Sequence, residues 1–271
     1  MPVSLPESFH FREMNSVDVS AVLQIIRRHN EDDFEAASES YARSLNGQFV
    51  LTRDNSVIGA TGARAIPGTD KSFWLSWTYL DPTASLAFPD PTLIFELVCG
   101  KLKERANARK LFAMISPTVD SGLGGGHSYG GALDSYLEFG FETELTHSDY
   151  YAAGESMTLL SHRLRSPGSR SSSPPMENRS ISILDADEIP ETDDAYFLEW
   201  DFANSPPVDQ QAVPYWLEAI RQWEGRVALV GIPGNAHRAM EQLCQAGFRK
   251  DGVITDFFAD GLDEVRLRFD L

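Results

Sequence analysis

Cysteine is almost missing from this sequence: Cys99 and Cys244 are the only two in 271 residues. Each lies inside an apolar helical pattern and neither belongs to a metal-ligand spacing. That excludes a disulfide-stapled scaffold and a thiolate metal centre, and leaves buried free thiols in a reducing compartment. Long apolar runs are missing too. No stretch approaches the length that spans a bilayer, and the opening MPVSLPESFHF has neither a basic nor an apolar signal segment, so the expectation is a cytoplasmic protein without a membrane partner. Basic residues are scarce, 23 Lys and Arg against 40 Asp and Glu, for a formal charge of −17. Neutralising phosphates takes clustered cations, which excludes nucleic acid. An acidic surface suits a cationic small molecule, and it serves equally to keep a protein soluble.

What is present is an ordinary globular composition, 42% hydrophobic with a mean hydropathy of −0.26, enough for one large domain or two modest ones. Phe9 to Arg12 alternates like a strand. Asn15 or Ser16 then caps a helix with apolar positions Val19, Val22, Leu23 and Ile26. A second helical piece runs from Asp32 to Leu45 and opens on an acidic cluster that includes Glu31, Asp32, Asp33 and Glu35. Such a first turn complements the helix dipole, and at a cleft it would attract an ammonium group. Three strand patterns follow, Gln48 to Thr52, Val57 to Ile66 and Phe73 to Leu80, separated by turn residues in the manner of an antiparallel meander. The third, FWLSWTYL, ends at Asp81-Pro82. Asp90 and Pro91 read as an N-cap and first-turn proline for a helix reaching Ala106, and Lys110 to Ile115 reads as a compact strand of a parallel pair.

After that strand comes SGLGGGHSYGG, dense in glycine and able to approach a ligand closely, with Gly124, Gly125, Gly126 and His127 at its centre. It is neither a P-loop nor a dinucleotide fingerprint. His127 reads either as a base or as a solvated loop histidine. Ala132, Tyr136 and Phe139 then share one face of a short helix stopped by Gly140. Phe141 to Leu145 and Met157 to Leu164 read as strands joined by a polar link through Asp149, Tyr150, Tyr151 and Gly154.

Tyr136, then Gly-Phe, a strand, Asp-Tyr-Tyr, Gly-Glu and a last apolar strand resembles the C-terminal end of the GNAT (Gcn5-related N-acetyltransferase) superfamily. The resemblance implies an α/β (α+β) fold with a mixed central sheet flanked by helices, with acetyl-CoA as co-substrate. It puts Thr78, Tyr79 and Leu80 where a central strand splays from its parallel neighbour and pairs with a pantetheine amide. It also puts Tyr136 beside the thioester, as proton donor to the departing sulfur. Read from its helix alone, Tyr136 is an amphipathic core residue with its hydroxyl at the surface. The resemblance places the glycine-rich loop at the border of the acyl site and leaves the base unassigned, with Asp81, Glu35 and His127 as candidates. One motif is missing: TASLAFPDPTLIFELV stands where the family has a Q/R-x-x-G-x-G/A loop for the pyrophosphate.

Residues 166–179, SPGSRSSSPPMENR, have little to bury and read as a linker between a module at 1–165 and a second at 180–271. In the second, Ser180 to Leu184 and Arg226 to Ile232 read as strands, and Pro190 to Phe202, Val213 to Trp223 and Ala236 to Gly247 as helices. The motif then recurs without a gap. Gly247-Phe248, Asp256-Phe257-Phe258-Ala259 and Gly261 stand 107 positions (247 − 140) after Gly140-Phe141, Asp149-Tyr150-Tyr151-Ala152 and Gly154. Leu243 takes the place of Tyr136, so the copy keeps apolar packing and discards polar chemistry, as a shortened structural module. The expected function is N-acetyl transfer to a small-molecule amine, with a homodimer left open. The rival expectation is a catalytically silent GNAT-like module that has lost ordinary CoA binding.

Overall fold

The computed structural model describes residues 5–81, 83, 92–116, 129–168, 179, 181–190, 192–202 and 212–271. Strand β1 (Phe9–Glu13) leads to helix α1 (Val19–His29), which buries Val22, Ile25 and Ile26. The cap differs from the expected Asn15 or Ser16. Asp18 stands at the N-cap without capping through its side chain, because its carboxylate is taken by the Arg12 guanidinium at 2.6 and 2.8 Å and by the Asn15 N–H. Helix α2 (Glu31–Arg43) follows, then β2 (Gln48–Arg53), β3 (Ser56–Ala65) and β4 (Ser72–Leu80), the antiparallel meander that the turn residues between the three strand patterns predicted. Asp54 and Asn55, both at positive φ, make the first turn a tight hairpin.

Helix α3 (Leu93–Ala106) ends on Asn107 in the left-handed conformation, and β5 (Lys110–Ile115) follows. Thr92 is the N-cap residue, and the Asp90-Pro91 start lies outside the described residues. Helix α4 (Tyr129–Phe139) is closed by Gly140 at φ 99°. Strands β6 (Glu142–Ala152) and β7 (Glu155–Arg163) come next. The polar link expected after Leu145 is in fact strand. Asp149 at φ 50° acts as a bulge that rephases the alternation, so His147 and Tyr150 are both buried and the turn shrinks to two residues.

These strands form a mixed seven-stranded sheet in the order β1-β2-β3-β4-β5-β7-β6, with β4 and β5 parallel. Two cores pack on its faces. One joins α3 and α4 to Leu75, Leu111, Ala113 and Phe141, and the other joins α1 and α2 to Val50, Ala60 and Met14. The sheet is thus flanked by helices, as the sequence predicted.

Beyond residue 179 come β8 (Ile181–Glu188), β9 (Ala195–Phe202), α5 (Ala212–Gln222), β10 (Val227–Pro233), α6 (His237–Gln245), β11 (Arg249–Ala259) and β12 (Leu262–Asp270). They form a second sheet in the order β11-β12-β10-β9-β8. The expected helix over Pro190 to Phe202 is strand β9, paired antiparallel with β8, so a hairpin rather than a single strand precedes α5. AYFLEWDF buries Tyr196 and Leu198 on one face and leaves Glu199 out. That period-two pattern outweighs the helix-like acidic lead, which instead forms a turn at Asp194, φ 55°. Cys244 is also exposed rather than buried, since α6 turns Ala239 and Leu243 inward.

The repeat is geometrical as well as sequential. Gly247 has φ 102°, Asp256 φ 50° and Gly261 φ 79°, against 99°, 50° and 84° at Gly140, Asp149 and Gly154. The Gly154 N–H donates to Asp149 Oδ1 at 2.6 Å and the Gly261 N–H to Asp256 Oδ1 at 2.5 Å. The correspondence reaches further back than the motif. Arg109 and Arg226 each precede the parallel strand, donate Nε to the carbonyl of Asp70 or Asp193, and accept at their own carbonyl from Leu164 or Leu271. The chain forms two compact units, Met1–Glu142 with Leu160–Ser166, and Thr143–Leu159 with Pro167–Leu271.

Candidate active site

The centre of the first sheet is where two parallel strands part. The parallel pairing of β4 and β5 covers Ser72↔Lys110, Phe73↔Leu111 and Trp74↔Phe112 and then stops, although β4 runs on to Leu80 and β5 to Ile115. On its other side β4 carries a bulge against β3: the register passes from Gly62↔Ser76 to Ala60↔Tyr79, so Trp77 and Thr78 oppose Thr61 alone. Trp77 sits at φ 38°, a conformation that costs a bulky residue about 1–3 kcal/mol and persists only where its surroundings enforce it. The bulge turns the strand over. Phe73 and Leu75 pack with α3 and α4, whereas Trp77 and Tyr79 pack with α1 and α2, where the indole meets Tyr41 edge-on at 5.6 Å. Beyond the last pair, Met114 of β5 is 47% exposed.

Polar groups gather at the end of β4. Thr78 Oγ1 lies 2.9 Å from Thr61 Oγ1 and is also the hydrogen-bond partner of the Tyr136 hydroxyl. The Tyr136 ring is fixed by Phe95 and Phe141, with centroids at 4.6 and 5.0 Å. Burial pushes its hydroxyl up to about 12, helped by the negative charge of Asp33 and opposed by the bond to Thr78. Asp33 itself accepts a hydrogen bond from the Tyr79 hydroxyl, and its backbone N–H is held by Asn30 Oδ1 at 3.2 Å. Next to Tyr79, with ring centroids 5.1 Å apart, His29 places Nε2 at 2.8 Å from the Leu80 carbonyl. A carbonyl only accepts, so Nε2 carries the proton in that contact.

The sequence-predicted residues therefore divide. Thr78, Tyr79, Leu80 and Tyr136 come together around the diverging strand. Asp81 adjoins them, but its carboxylate receives both contacts of Arg28 Nη1 at 3.1 Å and the N–H and hydroxyl of Thr83 at 2.9 and 2.7 Å. Burial alone would raise its pKa, and these partners together hold it below the usual carboxylate range. Glu35 is exposed on α2. His127, Gly124, Gly125 and Gly126 lie outside the described residues, as does most of the segment between Asp81 and Thr92. Two residues at the site were not singled out from the sequence, Asp33 and His29. Asp33 is one carboxylate of an acidic run and His29 the last residue of a helix, and only the packing of α1 and α2 against β4 distinguishes them. Among the described residues no cluster of three or more His, Cys, Asp and Glu could hold a metal ion. No described helix is long and apolar enough to cross a membrane.

No protein-family model and no curated protein matches the chain. Solved structures do. A protein of Desulfovibrio desulfuricans described as an acetyltransferase of the GNAT family aligns at 18% identity over 58% of this chain and 99% of its own, with a TM-score of 0.51. The ribosomal-protein-S18-alanine N-acetyltransferase of Escherichia coli aligns at 14% identity over 60% of this chain and 98% of its own, TM-score 0.46. The spermidine N-acetyltransferase of Vibrio cholerae aligns at 12% identity over 59% and 97%, TM-score 0.47. At such identities the likeness is one of architecture, and over somewhat more than half its length this chain has the GNAT fold.

Proposed function

We propose that the chain is an acyl-CoA-dependent N-acyltransferase that moves an acetyl group to a small amine at the open end of β4. The observation that carries this reading is the end of the β4–β5 pairing after Trp74↔Phe112, with the Trp77 bulge behind it and the Tyr136 hydroxyl on Thr78 beside it. A strand edge released from its neighbour suits the amides of pantetheine, which add to it as a further strand. Chemistry belongs to the first module, and residues 180–271 have a structural role.

Asp33, which accepts from the Tyr79 hydroxyl, is the group for the acceptor. Its carboxylate draws in an ammonium and takes a proton from it, which leaves a neutral amine. The nitrogen attacks the thioester carbonyl, whose oxygen is held by backbone N–H groups near Tyr79 as it gains charge. The carbon–sulfur bond then breaks, and the second proton lost by nitrogen reaches sulfur through the Tyr136 hydroxyl, giving an amide and a free thiol. Burial keeps Tyr136 protonated at neutral pH, so the donor is always present. Asp81, locked by Arg28 and Thr83, supports the strand end rather than serving as base.

The competing reading, a silent module used for binding or assembly, draws on the glycine-free sequence between Leu80 and Leu93. Calorimetric titration with acetyl-CoA, followed by thiol release in the presence of primary amines, separates the two. Heat on binding and amine-dependent thiol release support the transferase. No heat and no thermal shift at millimolar ligand leave only the silent module.

A further inference from the structure

The second sheet repeats the divergence of the first. Strands β9 and β10 are parallel and pair only at Ala195↔Val227, Tyr196↔Ala228 and Phe197↔Leu229, though β9 continues to Phe202 and β10 to Pro233. Aligning these pairs with Ser72↔Lys110, Phe73↔Leu111 and Trp74↔Phe112 puts Trp200 in the place of Trp77 and Gly231 in the place of Met114. The two indoles meet opposite fates. In β4 the bulge falls at Trp77 and throws the ring to the α1–α2 side. In the second sheet the extra residue is on the neighbouring strand, where the register steps from Ile183↔Trp200 to Asp185↔Glu199 and skips Leu184. Strand β9 therefore alternates without a break. Trp200 follows Tyr196 and Leu198 onto the face of α5 and α6, and its Nε1–H donates to the Gly231 carbonyl at 2.7 Å, two residues past the last pair.

We propose that the second sheet holds a closed acyl-carrier cleft in which the Trp200 indole occupies the place, and takes the backbone acceptor, that a pantetheine amide would use. This rests on reading the β4–β5 divergence as the carrier site. The consequence is one carrier site per chain, with Trp200 as the residue that excludes the second. Burial agrees with this: Gly231 is buried, while Met114 at the matching place is open. The sequence agrees as well, since Leu243 stands where Tyr136 would serve a thioester.

The test is NMR on the 15N-labelled full chain, titrated with pantetheine. In the wild type, the Trp200 indole N–H, assigned by its loss in Trp200→Phe, exchanges slowly and does not move, and the amides of Val230 and Ile232 stay in place. In Trp200→Ala those two amides shift with pantetheine, as a cleft absent from the wild type opens. No shift in a folded Trp200→Ala overturns the proposal, whatever the first sheet does. Shifts at Tyr79 and Leu80 report separately on the first cleft, so loss of the transferase reading is told apart from loss of this one. Should the Ala variant fail to fold, the wild-type indole decides: fast exchange, or a shift with pantetheine, overturns the proposal, and a slow, unmoved signal supports it.

Discussion

Replacing Tyr136 by Phe removes one hydroxyl and leaves the ring on Phe95 and Phe141. Thr78, its hydrogen-bond partner, keeps its contact with Thr61 Oγ1 at 2.9 Å, so no buried polar atom is orphaned. The cost at neutral pH is then that of one ordinary hydrogen bond, about 1 kcal/mol. In alkali the sign reverses. Burial and the Asp33 charge hold this hydroxyl at about 12 in the folded protein, against about 10 in an unfolded chain. Stability linked to a raised pKa is fully present below the unfolded value and is lost as pH climbs toward the folded one, a loss on the order of 3 kcal/mol. Tyr41, also pushed up by burial, is common to both proteins and cancels. Urea denaturation of the two proteins near neutrality and again above about pH 11 should therefore show the variant weaker in the first case and the wild type losing more in the second. In the acyl-transfer assay the same change should lower kcat by about 10²–10⁴, the range for a lost proton donor, and leave KM for acetyl-CoA nearly unchanged. A variant with wild-type kcat refutes the role of Tyr136, and equal alkaline losses refute its burial.

Other changes probe separate parts of the account. Asp33→Asn keeps the shape beside Tyr79 and removes the charge, so kcat/KM for an amine should fall by about 10²-fold or more while the urea midpoint barely moves; unchanged kcat/KM would assign the base elsewhere. Trp77→Gly relieves about 1–3 kcal/mol of backbone strain and gives up about 3–5 kcal/mol of indole packing, so equilibrium unfolding should show a net loss, and a stabilised variant would contradict the bulge. Burial raises the Asp251 pKa, but His147, Arg268 and Arg249 outweigh it and leave the carboxyl below its ordinary value. Its stabilisation is present above the unfolded carboxylate pKa of about 3.9 and lost as pH falls, so acid unfolding should be shallower in Asp251→Asn; identical acid limbs would contradict the pairing.

The first meander was legible because the turn residues Asp54-Asn55 and Pro67-Gly68 separate three apolar stretches between Gln48 and Leu80, and the repeat because left-handed backbone is needed at the same places twice. Gly140 and Gly247, Gly154 and Gly261, and Asp149 and Asp256 all have positive φ. Failures came where polar residues sit inside strands. The Asp149 bulge made β6 look like a link, and the acidic turn before Ala195 made β9 look like a helix start. The site was half legible. Tyr136 and Thr78 to Leu80 came from the motif, whereas Asp33 and His29 join them only through tertiary packing. The Trp77 bulge is a matter of register, which no single strand records: Trp77 and Trp200 occupy equivalent positions, and which strand of each antiparallel pair carries the extra residue decides which way the indole turns.

The most direct test of the divergence as a carrier site is a crystal structure of the chain with CoA bound. The account predicts a pantetheine amide within about 2.7–3.2 Å of backbone groups of Trp77 to Leu80, with the sulfur beside the Tyr136 hydroxyl. CoA lodged away from β4, or strands that close on each other with the ligand absent at saturating concentration, would contradict it.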